Sequence, residues 1–284
     1  MSEFSSQWLA MREPADHRST NPALREQLNA VLTVSRTNAT HPLRIIDLGS
    51  GTGSNLRGLA PHLDGDQHWT LIDYDPKLLE AARLALKAWA DTTESNTDTA
   101  LHLKKAGKRI QVDFLCTDLS KNIETILEQP ADLLTAAAFF DLVAEPWLER
   151  FCSALCTPFY TVLTYDGTEQ WMPKHPADEE ALRAFHAHQA TDKGFGLAAG
   201  PRAVDIMQRR LLDYGFQVSI APSPWELDQA HDAKLIHALA TGSAQAVGET
   251  GLLDAATLAS WKTARQEAQA CTIGHWDLLA TFGS

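Results

Sequence analysis

The sequence predicts a single α/β domain: a mostly parallel sheet of seven strands with helices on both faces. From residue 44 onward, short apolar stretches alternate with amphipathic ones, which is typical of parallel strands joined by crossover helices. The stretch Ile45–Asn55, IIDLGSGTGSN, runs from a buried strand into a tight turn. With 284 residues, 44% hydrophobic and 21% charged, the chain has ordinary globular composition and enough length for one large domain.

The N-terminal residues 1–40 are predicted to form a helical cap. A short helix around Ser6–Arg12 is expected to end near Pro14, because proline has no N–H to donate within a helix. A second helix begins at Asn21 and Pro22, an N-cap residue followed by proline at the first helical position.

The strands of the sheet are predicted from short apolar runs, and the helices from amphipathic spacing between them. Strands are expected at 44–48, 68–73, 110–116, 132–136, 159–165, 216–221 and 273–282. Helices are expected at 54–63, from Asp75 and Pro76 onward, at 122–128, at 145–156 and from Pro201 onward. Residues 91–109 are polar and poor in aromatics, which predicts a mobile insertion with one extra helical turn.

We expect four parts within the one domain of 1–284. The cap of 1–40 precedes a cofactor-binding core at 41–166, and a lid insertion at 167–200 follows the fifth strand. Acidic residues at 178–180 and the Lys193–Gly194 pair mark the ends of a helix in that lid. Residues 201–284 complete the sheet and contain a helical insertion at 227–270.

Composition argues against several classes of partner. The net charge of −12 disfavours nucleic acid, because binding to phosphate backbones needs clustered Lys and Arg. No apolar run approaches the length of a membrane span, so we expect a cytoplasmic protein with no membrane partner. We also expect a monomer or a homodimer. The four cysteines are too few and too scattered for a disulfide framework, and we expect buried or inert thiols.

The glycine turn predicts a site for a nucleotide-like molecule. Glycines at positions 49, 51 and 53 permit backbone angles that a Cβ forbids and allow a ligand to approach the main chain. A dinucleotide fingerprint needs a third glycine, and Leu56 stands in its place. A nicotinamide-dependent oxidoreductase is therefore disfavoured, although it stays an alternative.

The alternating glycines with Asp47 two residues ahead resemble the first motif of class I S-adenosylmethionine-dependent methyltransferases. The resemblance continues at Asp73, twenty residues beyond Gly53, where that family places the acid that binds the ribose hydroxyls. Asp118 resembles the acid that meets the adenine amino group, and LLTAAAFFDLV at 133–143 resembles the fourth motif. The matches cover residues 43–166.

This resemblance implies a Rossmann-like methyltransferase sheet with an antiparallel last strand, and S-adenosyl-L-methionine as cofactor, which leaves as S-adenosyl-L-homocysteine. Asp47 is interpreted as an orienting group bonded to the amides of the turn, because an unpaired buried carboxylate is costly. The cap is expected to close the site, with Arg12 or Arg18 meeting the methionine carboxylate. The implied cofactor contacts are Asp47, Gly49, Ser50, Gly51, Gly53, Asn55, Asp73, Tyr74, Asp118, Leu119, Thr135 and Arg18.

Candidate catalytic residues follow the fourth and fifth strands and the lid helix. Asp141 and Tyr165 follow the strands and are expected to face the acceptor. His188 and Asp192 are four residues apart on one helix face and could form an oriented base, with His175 and His186 as the other histidines of the segment. The catalytic set is therefore Tyr165, His188 and Asp141.

Missing motifs narrow the expected acceptor. No Asn-Pro-Pro-Tyr or Asp-Pro-Pro-Tyr run follows the fourth strand, no paired acidic loop of the protein-arginine type is present, and no Asp, Asp, Asn set for Mg²⁺ is visible. The class of reaction that we still expect is metal-independent methylation of a small molecule. The alternative is an S-adenosylmethionine-binding protein with a regulatory role or another chemistry, because a fold does not fix a function.

Overall fold

The computed structural model describes residues 5–36, 39–97 and 99–282. The remaining residues, 1–4 and 37–38 of the predicted cap, 98 of the predicted insertion and 283–284, lie outside the described ranges. The strands are β1 Leu43–Leu48, β2 Gln67–Asp73, β3 Thr92–Asn96, β4 Ala100–Lys105, β5 Lys108–Cys116, β6 Leu133–Ala137, β7 Phe159–Met172, β8 Phe216–Pro222, β9 Trp225–Asp228 and β10 Ala270–Phe282. The helices are α1 Ser6–Ser19, α2 Pro22–Ser35, α3 Ser54–Leu59, α4 Pro76–Trp89, α5 Leu119–Leu127, α6 Glu145–Ala154, α7 Asp178–Gln189, α8 Ala203–Asp213, α9 Gln229–Thr250 and α10 Ala255–Gln266.

The strands form one sheet in the order β3-β4-β5-β2-β1-β6-β7-β10-β8, with β9 paired to β10. Strands β5, β2, β1, β6 and β7 are parallel neighbours, whereas β10 runs antiparallel to both β7 and β8. The predicted mostly parallel sheet with an antiparallel last strand is therefore confirmed, but β3, β4 and β9 extend the seven predicted strands to ten. Because the strand order reverses direction at β1, the carboxyl ends of β1 and β6 border a crevice.

Helices cover both faces of this sheet, as predicted. On one face, leucines of α2, α3 and α4 pack with β1 and β2 around fully buried Trp69. On the other face, α5, α6 and α8 enclose a cluster of aromatic rings from Phe140, Trp147, Phe151 and Phe159. The spacing of apolar residues on each helix accounts for its buried side.

The predicted mobile insertion at 91–109 is wrong, because the segment forms the hairpin β3–β4 and extends the sheet beside β5. Leu101 and Leu103 are fully buried, and they alternate with polar residues that face away. Ala106 and Gly107 both have positive φ angles, as expected in the primed turns that connect hairpin strands. The alternation of Leu101 and Leu103 with His102 is typical of a strand, and it could have predicted β4 from the sequence.

Two boundaries also differ from expectation. Helix α1 continues through Pro14 to Ser19, where it packs against α3 and β9, so tertiary contacts outweigh the missing N–H. Strand β7 extends to Met172 and pairs with β10, so the first residues of the predicted lid belong to the sheet. The lid helix is present as α7, where it packs against α9. Within the described residues, no helix is long and apolar enough to cross a membrane.

Candidate functional site

A cavity lies at the carboxyl ends of β1, β2, β5 and β6 and beside the first residues of β7, and α1 covers it. Its walls include the glycine turn after β1, the end of β2 and the start of α5. Further lining residues come from α1, from the exit of β6, from β7 and from the lid. They include Leu9, Arg12, Asp16, His17, Thr20, Arg25, Leu59, Ala137, Ala138, Phe139, Tyr160, Val162, Leu163, Lys193 and Phe195.

The glycine turn is held in a conformation that only glycine adopts without strain. Gly49, Gly51 and Gly53 have φ angles of +63°, +52° and +74°. A Cβ on Gly49 would lie 2.6 Å from Cδ2 of Phe139, and one on Gly51 would lie 3.0 Å from Leu9. The main chain of the turn therefore lines the cavity directly, because the glycines have no side chains that would separate it from the cavity.

Asp73 joins the end of β2 to this turn. Its Oδ2 accepts a hydrogen bond from the Gly51 N–H at 2.8 Å, and its Oδ1 accepts one from the Asp75 N–H at 2.9 Å. Burial raises the pKa of the Asp73 carboxyl, although these backbone donors oppose the shift. Asp75 caps α4 by accepting from the Lys77 N–H, as predicted. The Asp73 carboxylate thus has a fixed orientation at the cavity wall.

Asp47 is fully buried beneath the turn. Its Oδ1 accepts from the Asn55 amide at 2.8 Å, and Asn55 also donates to the Thr135 hydroxyl at 3.1 Å. Burial raises the pKa of Asp47 to about 7, and the nearby charge of Asp73 adds to the rise. The predicted bond from Asp47 to the turn's amides is wrong: the Ser50 and Gly53 N–H groups donate to backbone carbonyls, and Gly51 donates to Asp73.

Four buried polar atoms on the cavity wall have no hydrogen-bond partner among the described residues. They are Asp47 Oδ2, Ser50 Oγ, Thr52 Oγ1 and the Tyr160 hydroxyl. A buried polar group without a partner costs about 1 to 3 kcal/mol, so partners are expected from a bound molecule. Three of the four lie in or just before the glycine turn, which marks that turn as a ligand contact.

Helix α1 presents one polar face to the cavity. The Arg12 guanidinium donates to Asp16 at 2.9 Å and lies 5.0 Å from the ring centroid of Trp225. Asp16 also accepts from the Trp225 indole N–H, which places Trp225 in the core rather than on the cavity wall. His17 Nε2 lies 2.9 Å from the Ser54 carbonyl oxygen and fastens α1 to the start of α3.

Of the two arginines expected near the methionine carboxylate, only Arg12 lines the cavity. Arg18 is exposed and its Nη2 donates to Asp232 at 2.6 Å, at the surface beside α9. The placement of Arg18 as a cofactor contact is therefore contradicted by its position. The continuous helix explains the difference, because it turns Arg18 away from the face that carries Arg12 and Asp16.

Asp118, Leu119 and Tyr74 all line the cavity on the side of β2 and β5. Asp118 is the N-cap of α5, where its Oδ1 accepts from the Ser120 N–H at 3.0 Å. Hydrogen bonds from Ser120 and the ion pair with Lys121 lower the pKa of Asp118. Its carboxylate is charged at neutral pH and able to accept a further bond, so the predicted adenine contact stays a prediction.

The backbone is strained where the cavity meets β6 and β7. Ala138 and Leu163 have φ angles of +50° and +60°, the left-handed region that side chains disfavour. Both are held by hydrogen bonds, from the Ala138 N–H to the Val162 carbonyl and from the Leu163 N–H to Asp277 Oδ1, each 2.9 Å. Such strain is typical of residues that shape a binding site.

The predicted catalytic residues Tyr165, Asp141 and His188 are not among the lining residues of this cavity. The Tyr165 hydroxyl lies 3.2 Å from His186 Nε2, and Asp141 accepts from the Gln189 amide at 3.2 Å. Burial raises the pKa of Asp141 to about 6. Their catalytic roles stay predictions that this geometry does not strengthen.

The expected pairing of His188 with Asp192 is wrong. His188 Nε2 lies 3.0 Å from Glu249 of α9, and Asp192 accepts from the Gly194 and Gly196 N–H groups. The reason is that α7 ends at Gln189, so Asp192 no longer follows its helix face. The next residues of the segment, Lys193 to Phe195, do reach the cavity, and Phe195 packs edge-on against Phe139.

Several lining residues were missed in the sequence. Leu9, Asp16 and Thr20 recur at helical spacing with Arg12, which was predicted, and they would have been found by reading one helix through Pro14. Tyr160 lies inside an apolar strand run, where nothing local marks its hydroxyl. Among the described residues, no group of three or more His, Cys, Asp or Glu side chains could hold a metal ion.

The strand order and the glycine turn after β1 together define a Rossmann-like α/β fold. No family model matches the chain, and no curated protein matches it significantly.

Several solved structures resemble the chain in fold. One is an S-adenosylmethionine-dependent methyltransferase from Thiobacillus denitrificans in complex with S-adenosyl-L-homocysteine, at 15% identity over 98% of each chain with a TM-score of 0.44. Another is a cyclopropane-fatty-acyl-phospholipid synthase-like protein from Lactobacillus casei, at 17% identity over 95% of this chain and 99% of that one, with a TM-score of 0.44. A third is YjhP from E. coli, at 15% identity over 98% of this chain and 99% of that one, with a TM-score of 0.45. With such low identities and TM-scores these likenesses carry no argument about the site.

Proposed function

We propose that this protein transfers a methyl group from S-adenosyl-L-methionine to a small-molecule acceptor, without a metal ion. The observation that carries the proposal is the set of groups around the glycine turn, which lie on the wall of one covered cavity. They are the main chain of the turn, the hydroxyls of Ser50 and Thr52, which have no partner among the described residues, and the Asp73 carboxylate, which the Gly51 N–H orients. That set suits a ligand with ribose hydroxyls and a charged amino acid part.

The fit of the cofactor follows from the donors and acceptors of the wall. Asp73 keeps lone pairs beyond its two backbone bonds and would accept from the ribose hydroxyls. Asp118 and Leu119 would flank the adenine, as the resemblance implies. The unpartnered Oδ2 of Asp47 would accept from the ammonium group, and Arg12 would bind the carboxylate. A cation beside Asp47 would lower its pKa and keep it charged.

When bound, S-adenosyl-L-methionine supplies a methyl group on a positively charged sulfur, which is already activated for displacement. The protein then has to position the acceptor in line with the leaving sulfur and exclude water. Helix α1 covers the cavity, and Phe139, Phe195, Val162 and Leu163 give an apolar wall beyond the glycine turn. The fixed backbone of Ala138 and Leu163 keeps this wall in place.

The test is methyl transfer from isotopically labelled S-adenosyl-L-methionine into a native metabolite extract, followed by mass spectrometry. We expect a labelled product with wild type and at least about tenfold less with Asp73→Ala at a cofactor concentration below saturation. Binding of S-adenosyl-L-homocysteine without any labelled product would favour the alternative of a regulatory or otherwise non-transferring protein. Binding of NAD in its place would favour an oxidoreductase and overturn the proposal.

A further inference from the structure

Residues at the end of α1, on α2 and in β7 also line the cavity, and we call this part of its wall the second end. Its polar groups belong to Thr20, Arg25 and Tyr160. The apolar side chains of Leu59 and Val162 also line the cavity. None of these residues has a role in the proposed binding of the cofactor. This end therefore needs its own explanation.

Tyr160 contributes a buried hydroxyl. The residue is 1% exposed, and its hydroxyl has no hydrogen-bond partner among the described residues although it belongs to the cavity wall. Burial raises the pKa of this phenol, so the hydroxyl keeps its proton and remains a donor. A buried donor without an acceptor is costly, which indicates that a bound molecule supplies the acceptor.

Arg25 contributes a positive charge beside it. Its Nη1 donates to the Thr20 hydroxyl at 3.1 Å, and within the described ranges no carboxylate lies within 4.0 Å of its guanidinium. Arg25 lowers the pKa of Asp277 without forming an ion pair with it. Asp277 already accepts from the Leu163 and Asn21 N–H groups, at 2.9 and 2.7 Å. Arg25 is thus free to meet a second anion.

We propose that this end of the cavity binds a carboxylate group of the methyl acceptor. Arg25 pairs with the carboxylate, the Tyr160 hydroxyl donates to it, and the apolar lining takes the hydrocarbon part. An arginine and a hydroxyl donor together match the two oxygens of a carboxylate. The inference rests on the proposed function, because it assigns this end to the acceptor, and it adds the chemical class of that acceptor.

The test uses 4-fluorobenzoate and its neutral counterpart 4-fluorobenzamide as probes, titrated by fluorine NMR into the full chain saturated with S-adenosyl-L-homocysteine. We expect the benzoate to bind and the benzamide to bind at least about tenfold more weakly. Arg25→Gln and Tyr160→Phe should each weaken the benzoate, by about tenfold or more for Arg25→Gln, and leave the affinity for S-adenosyl-L-homocysteine unchanged. Arg183→Gln, which removes an exposed arginine of α7, is the matched control and should change neither.

Equal binding of the two probes, or an unchanged benzoate affinity in Arg25→Gln, would overturn the carboxylate assignment while the proposed function stands. Displacement of the benzoate by inorganic phosphate at a lower concentration than by acetate would also overturn it, in favour of a phosphate. A wild-type chain that does not bind S-adenosyl-L-homocysteine at all would instead reject the proposed function, and the inference with it.

Discussion

The Oδ2 atom of Asp73 lies 2.8 Å from the backbone nitrogen of Gly51, so a single carboxylate connects the end of β2 to the glycine turn after β1. The two strands are parallel neighbours in register, which brings their carboxyl ends together. Asp73 therefore both supports the turn and faces the cavity that the turn lines. Its removal tests both roles at once.

Asp73→Ala should weaken the binding of S-adenosyl-L-homocysteine by about 1.5 to 3 kcal/mol, the range for hydrogen bonds that involve a charged group. Isothermal titration of the wild type and the variant measures the difference. Asp213→Ala removes an exposed carboxylate on α8 and serves as the control. If the Asp73 variant binds with unchanged affinity, the assignment of Asp73 to the ribose fails.

Gly49→Ala should destabilise the protein more than Gly65→Ala does. Both glycines have positive φ, at +63° and +76°, so each alanine incurs about 1 to 2 kcal/mol of backbone strain. Only at position 49 does the new Cβ meet an obstacle, because Phe139 lies 2.6 Å away and is enclosed by Phe140, Trp147 and Phe195. Overpacking adds at least about 1 kcal/mol.

Denaturant unfolding of the two glycine variants gives this comparison directly, because nothing lies within 4 Å of a Cβ on Gly65. Equal losses of free energy at the two positions would show that Phe139 does not restrict the turn.

Asp47 should make the stability of the ligand-free protein fall as pH rises from about 4 to about 7. The carboxyl titrates near 3.8 in the unfolded chain and at about 7 in the folded one. Below pH 4 both states hold the proton, whereas between these pKa values only the unfolded chain releases it, which favours unfolding. The loss reaches about 4 kcal/mol above pH 7.

Asp47→Asn removes this titration and retains an oxygen that can accept from the Asn55 amide. The melting temperature of the variant should exceed that of wild type by several degrees at pH 8, and the difference should shrink toward zero near pH 4. Calorimetry across this range is the measurement. A difference that does not vary with pH would mean that the Asp47 carboxyl titrates normally in the folded protein.

Arg57→Ala should cost far more stability than Arg150→Ala, although both arginines bind a glutamate through two nitrogens. Arg57 pairs with Glu13 of α1 at 2.7 Å through Nε, and its side chain is 6% exposed. Arg150 pairs with Glu124 at 2.6 Å, and both of those side chains are over 40% exposed. We expect about 3 to 5 kcal/mol for the buried pair and no more than about 1 kcal/mol for the exposed one.

The same two variants report on the cap. Because the Glu13 pair fastens α1 over the cavity, Arg57→Ala should also weaken S-adenosyl-L-homocysteine, whereas Arg150→Ala should not. Chemical denaturation and titration calorimetry measure the two effects. Similar small losses from both variants would contradict the anchoring of α1 by Arg57.

The glycine turn was predictable from sequence because its signals are local and ordered along the chain. Glycines at 49, 51 and 53 allow the turn. Asp73 and Asp118 stand at the ends of parallel strands, and those ends lie at the same edge of the sheet as the turn. The parallel arrangement of the central strands was predictable in the same way, from alternating strands and helices. These features depend on short stretches of chain, which is why they could be recognised without the structure.

The part of the cavity wall that holds Tyr160 and Arg25 was not predictable, because it depends on contacts between distant segments. The two residues line one cavity only after α2 packs against β8 and β10, and nothing near either residue in the sequence marks this. The residues of α1 that line the cavity were not recognised as one helix face, because Pro14 predicts a helix end. In the structure, packing maintains the helix through Pro14. The partner of His188 was predicted wrongly for a related reason, because Glu249 is sixty-one residues away.

Titration of S-adenosyl-L-homocysteine into the wild-type chain by isothermal calorimetry tests whether the covered cavity binds S-adenosyl-L-methionine. The proposed function predicts saturable binding that Asp73→Ala weakens, and no binding of NAD under the same conditions. Saturable binding of NAD with no heat from S-adenosyl-L-homocysteine would contradict it.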